Sequence, residues 1–338
     1  MKICFLAHGV SIHTRQWIRY FRDRGHQVSL VTLTTGVPEP GIELRNLRHR
    51  WHITHERANW HYLLKLPRLW KVVRDIQPDI INAHFISSYG ILGALVRPAK
   101  CPLALRVCGS DLFVFPKRSL LHSMVTRFAL HRADLIISVA QHMTQMLSEY
   151  VAVDKPVLTQ QYGVDTERFH PPPYPAERPP VCLSNRTMVP VCNLESILLA
   201  ARRLEEQGSP LHINLAGDGE QYPFLRRKAA ELKLDDRITF LGRIDHSQMP
   251  DALRSVSVYV SMSLSDGTSI SLIEAMACGA FPVVSDIPAN REWITDGING
   301  YLVPLGSPDR LAERLNDAWN HPELREAAAK HNWSLIRE

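Results

Sequence analysis

Two carboxylates, Asp266 and Glu274, stand eight residues apart, and the residues between them suit an anion. Gly267, Thr268, Ser269 and Ser271 form a turn rich in glycine and hydroxyls, which opens through Ile270 into an Ala/Met helix. Gly279 stops that helix, and a short apolar strand, Phe281 to Ser285, is expected beyond it. A helix that begins after small residues leaves its first backbone N–H groups without intrahelical partners, and its positive end faces outward, which is where phosphate binds. Carboxylates on either side of such a site accept hydrogen bonds from hydroxyls. A phosphate with hydroxyls on both flanks describes a nucleotide sugar. Arg186, in the stretch SNRTMVPVCNLE, follows an expected strand at the opening of the second series of elements, and an arginine can pair with phosphate. The plainer alternatives are that Asp266 caps the helix and that Glu274 and Arg186 form surface ion pairs.

These residues need a scaffold, and the chain supplies an alternation of strands and helices. A buried strand is expected at 3–7, a loop at 8–11, a helix over 14–24 ended by Gly25, and a second strand at 28–33. Further strands fit 80–83, 103–107 and 135–139. The pattern restarts with strands at 181–184, 211–216, 238–241, 256–261 and 281–284, and helices at 194–207 and 222–232. Between the two series lie Pro171, Pro172, Pro173, Pro175, Pro179 and Pro180, a run that holds neither a helix nor a central strand. The expected organisation is a domain over 1–168, a linker over 169–180 and a second domain over 181–338. Open α/β sheets bind ligands at the carboxyl ends of their strands, which two such domains would turn toward a central cleft.

Several pieces, in order, carry a resemblance. They are RGHQVSLVT at 24–32, HRADLIISVA at 131–140, YGVDTERFHP at 162–171, NLAGDGEQ at 214–221, ITFLGRI at 238–244 and the region 261–304. Together they resemble the retaining glycosyltransferases of family 4, whose donor motif is written E-x7-E. The resemblance implies the GT-B architecture, two Rossmann-like α/β/α domains with parallel sheets facing a cleft. It also implies that Asp266 meets the donor sugar, Glu274 the ribose, and the backbone of Gly267, Thr268, Ser269 and Ile270 the sugar and diphosphate. Arg186 is implied as a diphosphate clamp, Gly217 and Gly219 as a cleft-facing turn, Arg243 and Ile244 as the backbone that meets the nucleobase, and Gly9 as a loop that lets backbone approach a substrate. His84 and Asp111 are expected near the acceptor, with a core histidine and a helix cap as the alternatives. Three positions depart from the family pattern. Residue 266 is Asp, Cys192 stands where a second clamp cation is usual, and Cys108 stands where a histidine often precedes the glycine. The activity implied is transfer of a sugar from a nucleotide diphosphate to an acceptor hydroxyl with retention, in glycoconjugate or cell-surface polysaccharide synthesis. The departing phosphate would accept the acceptor's proton. A nucleotide-sugar 2-epimerase and a catalytically weak nucleotide-sugar binding protein are the alternatives. The chain contains no D-x-D triplet, so neither a metal nor another cofactor is expected.

Composition narrows the partners. Residues 1–170 carry 22 Lys and Arg against 12 Asp and Glu, whereas residues 171–338 carry 17 against 22. The first half should therefore meet an anionic partner. Residues 45–74 concentrate this trend, with eight Lys or Arg, four His, Trp51, Trp60 and Trp70, and the single acid Glu56. Basic residues among indoles suit a peripheral membrane contact or a lipid-linked, phosphate-bearing acceptor. A surface loop with an amphipathic helix packed on the sheet is the alternative, and no nucleic-acid motif accompanies the charge. No apolar run reaches the length of a membrane span, and six scattered cysteines show no metal or disulfide spacing. A cytoplasmic protein, peripheral at the inner membrane face, is expected. The last helical stretch reads as short, which suggests a natural chain that continues further.

Overall fold

The computed structural model describes residues 1–47, 60–152, 154–173 and 178–338. It divides into two compact units, Met1–Gln161 and Tyr162–Glu338. The first contains strands β1 (Lys2–Leu6), β2 (Gln27–Thr32), β3 (Ile42–Asn46), β4 (Ile80–His84), β5 (Leu103–Val107), β6 (Leu135–Ser138) and β7 (Val157–Thr159). The second contains β8 (Val181–Ser184), β9 (His212–Ala216), β10 (Ile238–Gly242), β11 (Val258–Ser261), β12 (Phe281–Ser285) and β13 (Tyr301–Val303).

All pairings within both sheets are parallel, in the orders β3-β2-β1-β4-β5-β6-β7 and β10-β9-β8-β11-β12-β13. The central strands are continuous apolar runs because parallel sheets are covered on both faces. Every residue of β5, β11 and β12 is buried, including Arg106 in β5. In each sheet the chain moves outward in one direction and then returns to the other side of the first strand. The reversal falls between β1 and β4 in the first unit, and between β8 and β11 in the second. At such a switch point neighbouring loops diverge and leave a crevice at the strand carboxyl ends.

Three strands lie outside the expected set: β3, β7 and β13. All sit at or next to a sheet edge, and β3 and β7 are only half buried, so no apolar run announces them. The unit boundary falls ahead of the expected residue 168. Phe169, 1% exposed, belongs to the second unit's core with Leu183, Tyr259 and Met276, and Arg254 Nη1 donates to the Arg168 carbonyl at 3.1 Å. The proline run is tied to the same body through Arg178, whose Nη1 donates to the Val256 carbonyl (3.0 Å) and whose Nη2 donates to the Cys278 carbonyl (2.8 Å). Residues 174–177 of the expected linker lie outside the described residues.

The chain ends in two helices, Pro308–Asn320 and Pro322–Arg337. The latter is 16 residues long, where a short stretch was expected. Its sequence, PELREAAAKHNWSLIR, has a weak apolar stripe, and much of its attachment is polar. Asn332 is fully buried and exchanges hydrogen bonds with Asn299, 2.8 Å to Oδ1 and 3.0 Å from Nδ2, while Trp333, Leu335 and Ile336 pack on the same core as Phe169.

Candidate functional site

The second unit brings its expected site residues to the carboxyl ends of four adjacent strands. Asn185, Arg186 and Thr187 follow β8, the turn 217–219 follows β9, Arg243 and Ile244 follow β10, and Asp266 to Ser269 follow β11. Arg186 and Asp266 thus face each other across the switch point. Arg186 Nη2 donates to Asp266 Oδ2 at 2.7 Å, and Nη1 donates to Ser269 Oγ at 3.2 Å. Both charged side chains are mostly covered, at 16% and 18% exposure. Burial is the largest influence and opposes the guanidinium's charge, but Asp266, Tyr259 and Cys192 together outweigh it, so Arg186 is held above its ordinary pKa. Its Nε is buried with no hydrogen-bond partner among the described residues. Beneath it, burial pushes the Tyr259 phenol up to about 12.

The helix expected after this turn runs over Ile270–Ala277. Its N-cap is Ser269, whose Oγ accepts from the Leu272 amide at 3.4 Å, so Asp266 is released from capping to hold Arg186. Glu274 lies on the buried side of this helix, and among the described residues no Lys or Arg pairs with it. Its Oε1 meets His246 Nε2 at 2.8 Å. His246 is itself placed by Phe169, 5.4 Å between ring centroids, and by Arg168 Nη2, which donates to the His246 carbonyl at 3.0 Å.

Gly217 and Gly219 have a packing reason for their identity. A Cβ on Gly217 would stand 2.5 Å from the Arg186 carbonyl oxygen, and one on Gly219 would stand 2.4 Å from that of Met188. The Met188 amide donates to the Asp218 carbonyl at 3.0 Å, locking the two loops together. Beside them opens a cavity of about 510 Å³, lined by Asn185, Thr187, Asp218, Arg243, Ile244 and Met249 together with both glycines. Arg186, Asp266 and Glu274 are outside its lining. Asn185 reaches Met249 Sδ through Nδ2 at 3.3 Å, and its Oδ1 is buried without a partner among the described residues. Asn185, Thr187, Met249 and His246 escaped the sequence reading. His246 lies two residues beyond Ile244, just outside the segment 238–244 that flagged Arg243.

The remaining expected residues, His84, Asp111 and Gly9, belong to the first unit, where each is enclosed by its own neighbours. His84 is a core residue, 3% exposed, with Phe5 and Trp17 edge-on to its ring at 5.9 and 6.0 Å. Asp111 is fully buried and does not reach out toward an acceptor. It accepts from the Ile86 amide (2.9 Å), the Cys108 amide (3.1 Å) and the Gly109 amide (2.8 Å), tying the loops after β4 and β5 together. Burial raises its pKa and the backbone donors oppose the rise. Gly9 is required by its own neighbours, because a Cβ there would lie 2.6 Å from Gly36 Cα. Cys108 is half buried, whereas the other five thiols are buried and none is in a disulfide. Among the described residues no group of three His, Cys, Asp or Glu could hold a metal ion, and no helix is long and apolar enough to cross a membrane.

Comparison with known proteins adds two family matches that together span most of the chain. The family described as glycosyl transferases group 1 matches residues 165–332, and the one described as glycosyl transferase 4-like matches residues 2–140. An uncharacterized glycosyltransferase of Methanocaldococcus jannaschii is 24% identical over 281 residues, covering 80% of this chain and 74% of that protein. The phosphatidyl-myo-inositol mannosyltransferase of Mycolicibacterium smegmatis is 30% identical over 187 residues, covering 52% of this chain but only 48% of the relative. Among solved structures, Anabaena HepE in complex with UDP-glucose aligns with a TM-score of 0.81 at 18% identity, covering 99% of this chain and 94% of that one. The likeness supports the fold, the two-sheet GT-B architecture.

Proposed function

Because the chain belongs to the glycosyl transferases of group 1 and is a glycosyltransferase, we propose that its second unit holds a nucleoside diphosphate sugar at the β8/β11 switch point and transfers the sugar with retention. The observation that carries this reading is Arg186, clamped by Asp266 and Ser269 at the start of the helix Ile270–Ala277 with its Nε still unpartnered. A guanidinium fixed by two partners keeps its orientation as charge develops, so no reorganisation opposes it. The helix start adds backbone donors for the diphosphate. Glu274 has one carboxylate oxygen engaged by His246 and one left for the ribose hydroxyls. The cavity beside Asn185 and Ile244 accommodates the nucleobase end.

In the transfer, the bond from the sugar's anomeric carbon to the phosphate oxygen breaks and the bond to the acceptor oxygen forms on the same face. The acceptor's proton passes to the departing phosphate. Arg186 supplies the cation for that phosphate, so the proposed reaction requires no metal. Asp266 is the positioning residue for Arg186 in addition to its expected contact with the sugar. Cys192 is buried beside this site. For the acceptor we propose a phosphate-bearing, lipid-linked molecule, in keeping with the basic first half and with a relative named for acting on phosphatidyl-myo-inositol.

The test is turnover of UDP-, GDP- and ADP-sugars by the wild type, Arg186→Ala and Glu274→Ala, with the product anomer read by NMR. Arg186→Ala should lose roughly a hundred- to a thousandfold in kcat, the scale of one transition-state charge contact. Glu274→Ala should weaken donor binding. A product of inverted configuration, or a Glu274→Ala protein that binds and turns over every donor as the wild type does, would sink the reading.

A further inference from the structure

The helix Leu120–Arg132 is apolar on two opposite sides. Thr126, Ala129 and Leu130 face the first unit's interior and are buried. At 3.6 residues per turn, Leu120, Leu121, Met124 and Phe128 fall within an arc of roughly 100° on the other side. These four are 79%, 57%, 58% and 41% exposed. A contiguous apolar patch on a surface marks a site of contact. The patch extends sideways. Helices Leu66–Ile76, Ile91–Val96 and Leu120–Arg132 pack side by side, and the first two expose Trp70 and Leu95.

Cations surround this face. Lys117 and Arg118 occupy the exposed turn just before the helix, and Arg127 and Arg132 flank the apolar arc. Trp70, Arg74 and Lys100, with the single acid Asp79, line a groove of about 590 Å³ at the neighbouring helix end. Between residues 110 and 132 the one acid is Asp111, which is buried and saturated by backbone amides. Apolar side chains within a basic fringe match the layers of an anionic bilayer, acyl chains beneath phosphates.

We propose that this face seats the chain on an anionic lipid surface, with Leu120, Leu121, Met124 and Phe128 entering the interface and Lys117 and Arg118 meeting the headgroup phosphates. The surface lies within the first unit and does not depend on the donor site of the second.

The full chain is sedimented with vesicles of phosphatidylcholine alone and of phosphatidylcholine mixed with phosphatidylglycerol. The wild type should pellet with the mixed vesicles, less so as salt rises, and remain in solution with the neutral ones. Leu120→Asp combined with Leu121→Asp should reduce that binding by about tenfold or more, and Lys117→Glu with Arg118→Glu should weaken it. Ile298→Asp, at a comparably exposed position on the second unit, should leave it unchanged. Donor turnover in solution should be the same in all of these variants, which separates failure here from failure of the donor site. The proposal is overturned if the wild type ignores anionic vesicles, or if the Leu120/Leu121 variant binds them equally well. It is also overturned if the chain dimerises without lipid and that variant is monomeric.

Discussion

At the scale of single residues, His84 shows what burial does to a titrating group. Desolvation, reinforced by the charges of Arg106 and His13, drives its pKa well below 6.5. A base whose folded pKa lies under its unfolded one contributes stability that is full above the unfolded value and is lost as pH falls below it. The melting temperature should therefore drop between pH 7 and 5, with His84 accounting for at most about 1.4 kcal/mol per pH unit. His84→Asn, which cannot titrate, should show a shallower acid limb in a thermal melt, and equal slopes for the two proteins would contradict this account. Arg186 illustrates the opposite outcome, since a carboxylate at 2.7 Å keeps a covered cation charged. Its position was legible through the family resemblance carried by the stretch SNRTMVPVCNLE. His84 was not, because a strand-end histidine looks the same whether its side chain meets solvent or Phe5.

At the scale of elements, the two loops after β8 and β9 behave as one piece. Gly219→Ala should destabilise the protein by roughly 1–3 kcal/mol, the usual cost of forcing extra atoms into a packed site, and should also lower donor affinity, because the Met188 carbonyl it would meet lies two residues from Arg186. Urea denaturation and nucleotide titration of this variant would check both, and a stable variant with normal affinity would refute the coupling. The same elements show how far the sequence alone reaches. Central strands were legible because burial on both faces imposes largely apolar runs, as in LALRV and FPVVS. Edge strands such as Ile42–Asn46 carry no such mark. The pair Asp266 and Glu274 was legible through spacing, whereas the contact between Glu274 and His246 depends on which way side chains turn in three dimensions. The terminal helix was underestimated because its anchor, the Asn299–Asn332 exchange, is polar and spans 33 residues of sequence.

At the scale of the molecule, the chain has two separately cored units with opposite charge balance, and the proposed donor site lies within the second. A nucleotide sugar at a hundred times its Kd should add about 2.7 kcal/mol of stability. By hydrogen exchange, the new protection should concentrate in β8, β9, β11 and the helix Ile270–Ala277, and protection appearing only in residues 1–161 would place the donor elsewhere. Burial pushes the thiols of Cys4, Cys182 and Cys278 up to about 12, and Cys101 and Cys192 are also enclosed. A maleimide offered to the native protein therefore finds one address, Cys108, at the rim of the first sheet. The wild-type chain comes with its own attachment point for a fluorophore or spin label, and motion of that rim can be followed without engineering a cysteine or removing the five beneath.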